Sequence, residues 1–184
     1  MSQPLTSDRV ASAFEQLKAL GAGDFAHLNG SLAEHLRHTE ALLRQWGNRD
    51  AVCLAGLYHA VYGTDAFDEK LVSLDMRQAI ATIIGSEAEA LTYLYGACNR
   101  KTYYPRIGTS EQFLFADRFA QSEYAIDESQ VRDLCELILA NEMELLIAGV
   151  EFRSKFGVQL AKLFARMQGL VSTAGFEDYR RLLA

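Results

Sequence analysis

The stretch Glu34–Asp65, EHLRHTEALLRQWGNRDAVCLAGLYHAVYGTD, decides how this chain is expected to fold. Its apolar residues recur with the 3.6-residue period of a helix, and the period is interrupted once, at Gly47. The pattern predicts one helix from Ser31 to Trp46 and a second from about Asp50 to Tyr62. Gly63 is expected to end the second helix, since glycine readily adopts the backbone conformation that follows a helix.

Two histidines lie on the apolar faces of these predicted helices. His35 is near the middle of the leucine-rich face of the first helix, and His59 follows the small Gly56 in a second helix that is apolar almost all round. His38 lies at the edge of the first face, and His27 precedes that helix. Two central imidazoles on neighbouring helices either converge on a metal ion or are core histidines bonded to carbonyl or tyrosine oxygens.

The rest of the chain also has mainly helical periodicity, with only two prolines in 184 residues. Together the pattern predicts an all-α fold, a single helical bundle spanning residues 1–184. The KTYYPRIGT segment, 101–109, is expected to be a loop, and Ser86 with Glu89 has the spacing of a capping box. The further predicted helices are Ser7–Leu20, 73–85, 86–100, 109–125, two between 127 and 169, and 176–184.

Composition excludes several classes of protein. The net charge is −6, and no basic cluster typical of nucleic-acid binding stands out. No apolar run approaches the roughly 20 residues that span a bilayer. Three widely separated cysteines fit reduced thiols, and the first ten residues lack a secretory pattern. We therefore expect a cytoplasmic protein that binds neither nucleic acid nor membrane.

The spacing of the histidines resembles that of the HD-domain superfamily, most closely its RelA/SpoT-type ppGpp hydrolase branch. That branch separates two histidines by 24 residues, as here from His35 to His59, and CLAGLYHAVYGTD aligns with its tlxAALLHDvvEDT pattern without a gap. FLFADRFAQSEYA is similar to its lLADRLhNmr motif and places Asp117 and Arg118 at the acidic and basic positions. The LYHAVYGT wording is also similar to an uncharacterised HD-like group that has LFHSVYGT.

The resemblance implies an HD-like core over about 24–124, followed by C-terminal helices over 128–184. It also implies that His35, His59 and Asp117 are the ligands of one divalent metal ion. Such a set suits manganese, iron(II) or zinc with open coordination positions.

Four positions depart from the HD pattern. Ala60 stands where the HD motif has its aspartate, and Gly63 and Thr64 replace the acidic pair that helps ppGpp hydrolases to activate water. Asn99 stands where that branch often has a further aspartate. These departures argue against ppGpp hydrolysis.

Three functions remain open at this point. The first is a metal-dependent, hydrolase-like enzyme acting on a small anionic molecule; the second is an iron(II) oxygenase using the same ligands; the third is a non-catalytic ligand-binding or regulatory module. Asp65 or Asp68 is the expected base, with Arg118 holding an anionic group. The expected substrate-binding residues are His27, His38, Tyr62, Thr64, Asn99, Arg100, Lys101 and Arg106.

Two surface features also have ordinary explanations. The basic segment around Arg100 and Lys101 is either a solvated loop or an anion-binding lid over the pocket. Phe152, Phe156 and Leu163 continue an apolar stripe that is explained by core packing or by a homodimer face.

Overall fold

The computed structural model describes residues 7–23, 26–27, 30–67 and 69–183, and most of them are helical. Two short antiparallel strand pairs, β1–β2 and β3–β4, accompany the helices. The helices are α1 Ser7–Leu17, α2 Leu32–Gln45, α3 Asp50–Tyr58, α4 Arg77–Ile84, α5 Ser86–Ala97, α6 Arg100–Tyr103, α7 Glu128–Ala148, α8 Val150–Arg166 and α9 Thr173–Leu183. The strands are β1 Ala26–His27, β2 Gly30–Ser31, β3 Leu114–Asp117 and β4 Ser122–Ala125.

The start of α2 is fixed by a capping box. The Ser31 hydroxyl accepts a hydrogen bond from the Glu34 amide, and the Glu34 carboxylate accepts one from the Ser31 amide. This reciprocal pair satisfies two amides that a helix start leaves without partners. The predicted start of this helix is therefore confirmed, and it sets the register that turns His35 and Leu36 into the protein.

α3 is shorter than predicted. It ends at Tyr58, and His59 is its C-terminal cap, so that residues through Tyr62 form turns rather than helix. Gly63 has φ of 75°, a left-handed conformation that glycine adopts without steric cost. His59 therefore lies at the C-terminal end of a buried helix, where the chain changes direction.

The segment 109–125, predicted as a helix, is instead a β-hairpin of β3 and β4. Asp117 accepts hydrogen bonds from the backbone amides of Phe119 and Ala120, which fixes the turn, and Gln121 takes φ of 51° to complete it. β3 also pairs with the end of α5, through Arg118 N–H to Ala97 O. Tertiary pairing thus overrides a helical periodicity.

Two further local expectations need correction. Within the predicted loop 101–109, the structure has the end of α6 and a 3-10 turn, Tyr104–Arg106. The Ser86–Glu89 capping box does not form, because Gly85 caps α5 and the Glu89 carboxylate instead binds the Arg77 guanidinium and the Tyr62 hydroxyl. A tertiary ion pair has taken the side chain that the local motif would use.

α3 and α7 lie at the centre of the structure. α3 packs one side against the core around α7 and the other against the core around α1 and α2, because it is apolar nearly all round. The chain turns at Gly149 between α7 and α8, and α8 runs back along α7. A hydrogen bond from Arg132 of α7 to the Gly169 carbonyl, beyond the end of α8, is consistent with this antiparallel arrangement. Within the described part of the chain, none of the helices has the length and apolar character to cross a membrane.

Candidate functional site

A cavity of about 1110 Å³ lies between the α2–α3 pair and the wall formed by α7 and α8. His35 and His59 line it on one side, and Asn141 and Glu142 line it from α7. Such a volume is at the upper end of the range for small-molecule sites, roughly 300–1,000 Å³. The two histidines singled out in the sequence therefore share one ligand-sized cavity.

The two imidazoles meet through their Nε2 atoms, which are 3.3 Å apart. His59 Nδ1 donates to the Gly56 carbonyl at 2.7 Å, and His35 Nδ1 is 2.5 Å from a Glu144 carboxylate oxygen. Because each Nδ1 faces an oxygen acceptor, each ring carries its Nδ1 proton and directs Nε2 toward the other ring. Metal-ligating histidines usually have the same arrangement, in which the ring nitrogen that does not bind the metal donates to a carboxylate or carbonyl oxygen.

The two Nε2 atoms can share a proton or can bind one metal ion. A shared proton satisfies the pair, with His35 donating and His59 accepting. A metal ion does so as well, because a tetrahedral ion with metal–nitrogen distances of about 2.0–2.1 Å separates its nitrogens by roughly 3.3–3.4 Å. The Asn141 side-chain oxygen is 3.1 Å from His35 Nε2 and faces the same point.

Glu144 holds His35 from the side opposite the cavity. One of its oxygens binds His35, and the other is 3.4 Å from Nδ1 of the exposed His38. Burial raises the pKa of the Glu144 carboxyl, but its hydrogen bonds to His35 and His38 hold that pKa below its ordinary value. The carboxylate is therefore an anionic anchor for the histidine pair, and His38 supports it rather than lining the cavity.

Asp117, the third predicted metal ligand, is not brought to the histidines. Its carboxylate is buried and accepts the hydroxyls of Tyr93 and Tyr124 in addition to the turn amides of Phe119 and Ala120. It does not line the cavity. The set His35, His59 and Asp117 is consequently not assembled, because the hairpin uses the aspartate to stabilise its turn.

Within the described ranges, no group of three or more His, Cys, Asp and Glu side chains is arranged so that it could hold a metal ion. The donors that do converge are two imidazole nitrogens and one amide oxygen. Imidazole suits zinc and iron, and amide oxygen suits manganese, so this smaller set still fits the metals expected from the sequence.

Three of the predicted substrate-binding residues line the cavity: Thr64, Arg100 and Lys101. The Thr64 hydroxyl accepts the Phe67 amide and so shapes the loop at the cavity edge. Arg100 is committed to a buried ion pair, with Nη1 2.9 Å from a Glu142 oxygen and Nη2 donating to the Tyr95 hydroxyl. Lys101 is exposed and has no such commitment.

The other predicted residues do not line the cavity, and each has a structural partner. They are Tyr62 with Glu89, Asn99 capping α6 at Thr102, Arg106 with Leu114 and Glu123, Arg118 with Gly96, and Asp65 with the Arg100 amide. The catalytic roles of Asp65 and Arg118 stay predictions. Asp68 and the side chain of His27 lie outside the described residues, and their roles stay predictions.

Sequence reasoning missed Asn141, Glu142 and Glu144, all on α7. The signal for them was present, because three polar side chains interrupt the otherwise apolar run LILANEMELLIAGV. All three are buried. Burial raises the pKa of the Glu142 carboxyl, although the Arg100 guanidinium opposes that rise. Buried polar side chains on an otherwise apolar helix need hydrogen-bond partners inside the protein, and this makes them candidates for a site.

The comparisons with known proteins give one finding. A family model described as "Domain of unknown function (DUF6817)" matches residues 16–100, just under half of the chain. The matched region includes both histidines and Arg100, and ends before α7. No curated protein and no solved structure matches the chain.

Proposed function

We propose that the protein is a metal-dependent, hydrolase-like enzyme of the HD type that acts on a small anionic molecule in this cavity. The observation that carries the proposal is the facing of two Nε2 atoms at 3.3 Å, each imidazole being held by an oxygen acceptor at its Nδ1. The two imidazoles are aimed at a common point on the wall of a cavity, which is the arrangement that ligation of one metal ion requires.

His35 and His59 would hold the metal ion, with the Asn141 side-chain oxygen as the third protein donor. When bound, such an ion acts as a Lewis acid that lowers the pKa of a water molecule and stabilises a developing oxyanion. Glu144 and the Gly56 carbonyl keep the two rings in the tautomer and orientation that ligation requires.

Glu142 is the candidate proton acceptor. Among the described residues that line the cavity, it alone carries a carboxylate. Its raised pKa makes it a stronger base than an exposed carboxylate. Arg100 stays paired with it and keeps the wall neutral, so that the carboxylate does not repel an anionic substrate. This replaces Asp65 as the expected base.

A ligand-binding or regulatory module is the second candidate. The finding that favours it is the lack, in the part of the chain that the structure describes, of a three-residue His, Cys, Asp or Glu cluster. In that case the histidine pair shares a proton, and the cavity binds its ligand without chemistry. The oxygenase alternative needs a carboxylate beside two histidines, a place that Asp117 does not fill.

Turnover of phosphate esters separates the two candidates. Wild-type protein with manganese, iron(II) or zinc should hydrolyse nitrophenyl phosphate esters, and His59→Ala should reduce kcat at least 100-fold. Gln45→Ala is the control, because this residue is on the exposed surface of α2 and does not line the cavity. Weak or no ppGpp hydrolysis is expected, since Gly63 and Thr64 replace the acidic pair. Ligand binding without metal-dependent turnover would favour the module.

A further inference from the structure

The wall of the cavity opposite the histidines is an apolar stripe on α8. Phe152, Phe156, Leu160 and Leu163 all line the cavity. Their spacings of four, four and three residues place them on one face of the helix. Leu145 of α7 extends the same wall. A phosphate or another small polar anion would leave this surface without contacts.

The same face becomes cationic toward the C-terminal end of α8. Lys162 and Arg166 line the cavity there, and Lys101 joins them from α6. Neither lysine forms an ion pair with the residues that the structure describes. At about 1.5 Å rise per residue, Phe152 and Arg166 are separated by roughly 21 Å along the helix. The cavity is therefore apolar at one end and basic at the other.

Tyr104 connects the basic end of the cavity to the protein interior. It lines the cavity, and its hydroxyl oxygen is buried with no hydrogen-bond partner among the described residues. Its carbonyl accepts from Arg166 Nη2 at 2.9 Å, which fixes the tyrosine beside the cationic end of α8. The hydroxyl is next to Arg100, Tyr95 and Glu142 in the interior, so that the tyrosine supports this end of the cavity through its backbone and is not a contact for the ligand head.

We infer that the cavity binds an amphiphilic anion whose hydrocarbon chain lies along the apolar stripe of α8 and whose anionic head lies between Lys101, Lys162 and Arg166. The inference rests on the proposed function only in making this molecule the substrate. Binding itself depends on the α8 wall and not on the histidine pair. Phosphate monoesters and carboxylates share the required head chemistry.

The chain-length dependence of binding tests the apolar part. Titration calorimetry on the full-length protein, treated with chelator, would compare hexyl phosphate, decyl phosphate and decanoate below their micelle concentrations. Each buried methylene contributes roughly fourfold in affinity, so decyl phosphate, with four more methylenes, should bind about 250-fold more tightly than hexyl phosphate. Decanoate binding as tightly as decyl phosphate would assign the head to any anion; much weaker binding would assign it to phosphate.

Two variants test the anionic part. Lys162→Glu with Arg166→Glu should weaken decyl phosphate binding about tenfold or more, while decanol binding stays within about twofold. Arg180→Glu with Arg181→Glu is the matched control, because it reverses two exposed charges on α9 away from the cavity.

Equal affinity for hexyl and decyl phosphate, or no binding of either, would overturn the inference. So would a loss of decanol binding equal to the loss of decyl phosphate binding in the double variant. These outcomes differ from a failure of the proposed function. A protein that binds decyl phosphate with the predicted length dependence but never binds metal retains the amphiphile site and loses the hydrolase.

Discussion

Replacing Glu144 with glutamine tests whether this carboxylate holds the histidine pair in place. The substitution keeps the size of the side chain and one acceptor oxygen, but it removes the negative charge. Both partners are almost fully buried, since the side chains of His35 and Glu144 are 4% and 8% exposed. Solvent therefore screens their interaction little.

The expected loss follows from the type of bond. A hydrogen bond to a charged group contributes roughly 1.5–3 kcal/mol, and a neutral one about 1 kcal/mol. Glu144→Gln should therefore lower the free energy of unfolding by about 1–2 kcal/mol at pH 7. The pKa of Glu144 is held below its ordinary value of 4.5 in the folded protein, so this contribution is present above that pH. It is lost as the pH falls through the lowered pKa.

Urea denaturation in the presence of chelator measures the free energy of unfolding. Metal titration measures the affinity for metal, which the substitution should also lower. Loss of a carboxylate that orients a histidine typically lowers metal affinity about 10–100-fold. Glu123→Gln is the control, since it makes the same change in an exposed ion pair with Arg106 and should cost about 0.5 kcal/mol or less. Wild-type stability together with wild-type metal affinity in Glu144→Gln would refute this role of the carboxylate.

Three other substitutions follow from the same structure. Arg100→Met should lower the free energy of unfolding by about 3–5 kcal/mol in a denaturation experiment, because it leaves the Glu142 carboxylate buried without its charge partner. An unchanged stability together with weakened ligand binding would instead restore Arg100 as a substrate contact. Gly56→Ala would place a methyl group against Cδ1 of Leu43 between α2 and α3. It should destabilise the protein by about 1 kcal/mol after the gain in helix propensity is subtracted. A stabilised variant would mean that the two helices separate freely. Asp117→Asn should destabilise the hairpin by about 2 kcal/mol, since the carboxylate oxygens accept four hydrogen bonds there. It should leave metal affinity unchanged in titrations, because those bonds lie away from the histidines. A loss of metal in a folded variant would return Asp117 to the ligand set.

The sequence predicts the α2–α3 pair well because its determinants are local. The leucine periodicity and the glycine stop at Gly47 lie close together in the chain, and they place His35 on the face of α2 that meets α3. Gly63 does not mark the end of α3, since that helix already ends at Tyr58. The mostly helical character of the chain is confirmed for the same reason. The convergence of the two rings also needs only these two helices and the turn between them.

The parts that were not predicted depend on long-range contacts. Glu144 binds a histidine 109 residues earlier in the chain, and nothing in the local pattern of α7 names that partner. The β3–β4 hairpin has helical periodicity, but the side chain of Asp117 can bind the amides of a tight turn and β3 can pair with the end of α5. The turn bonds of Asp117 and the pairing of β3 with the end of α5 decide between these alternatives, and periodicity alone does not.

Metal content is the most direct test of the central claim that His35 and His59 form one ligating pair. Protein purified anaerobically without chelator should contain near one equivalent of manganese, iron or zinc by elemental analysis. His35→Ala and His59→Ala should each lose it, whereas Gln45→Ala, on the exposed surface of α2, should retain it. A wild-type protein without metal that also fails to take up any of the three ions on titration would contradict the claim, as would retention of a full equivalent in both His35→Ala and His59→Ala.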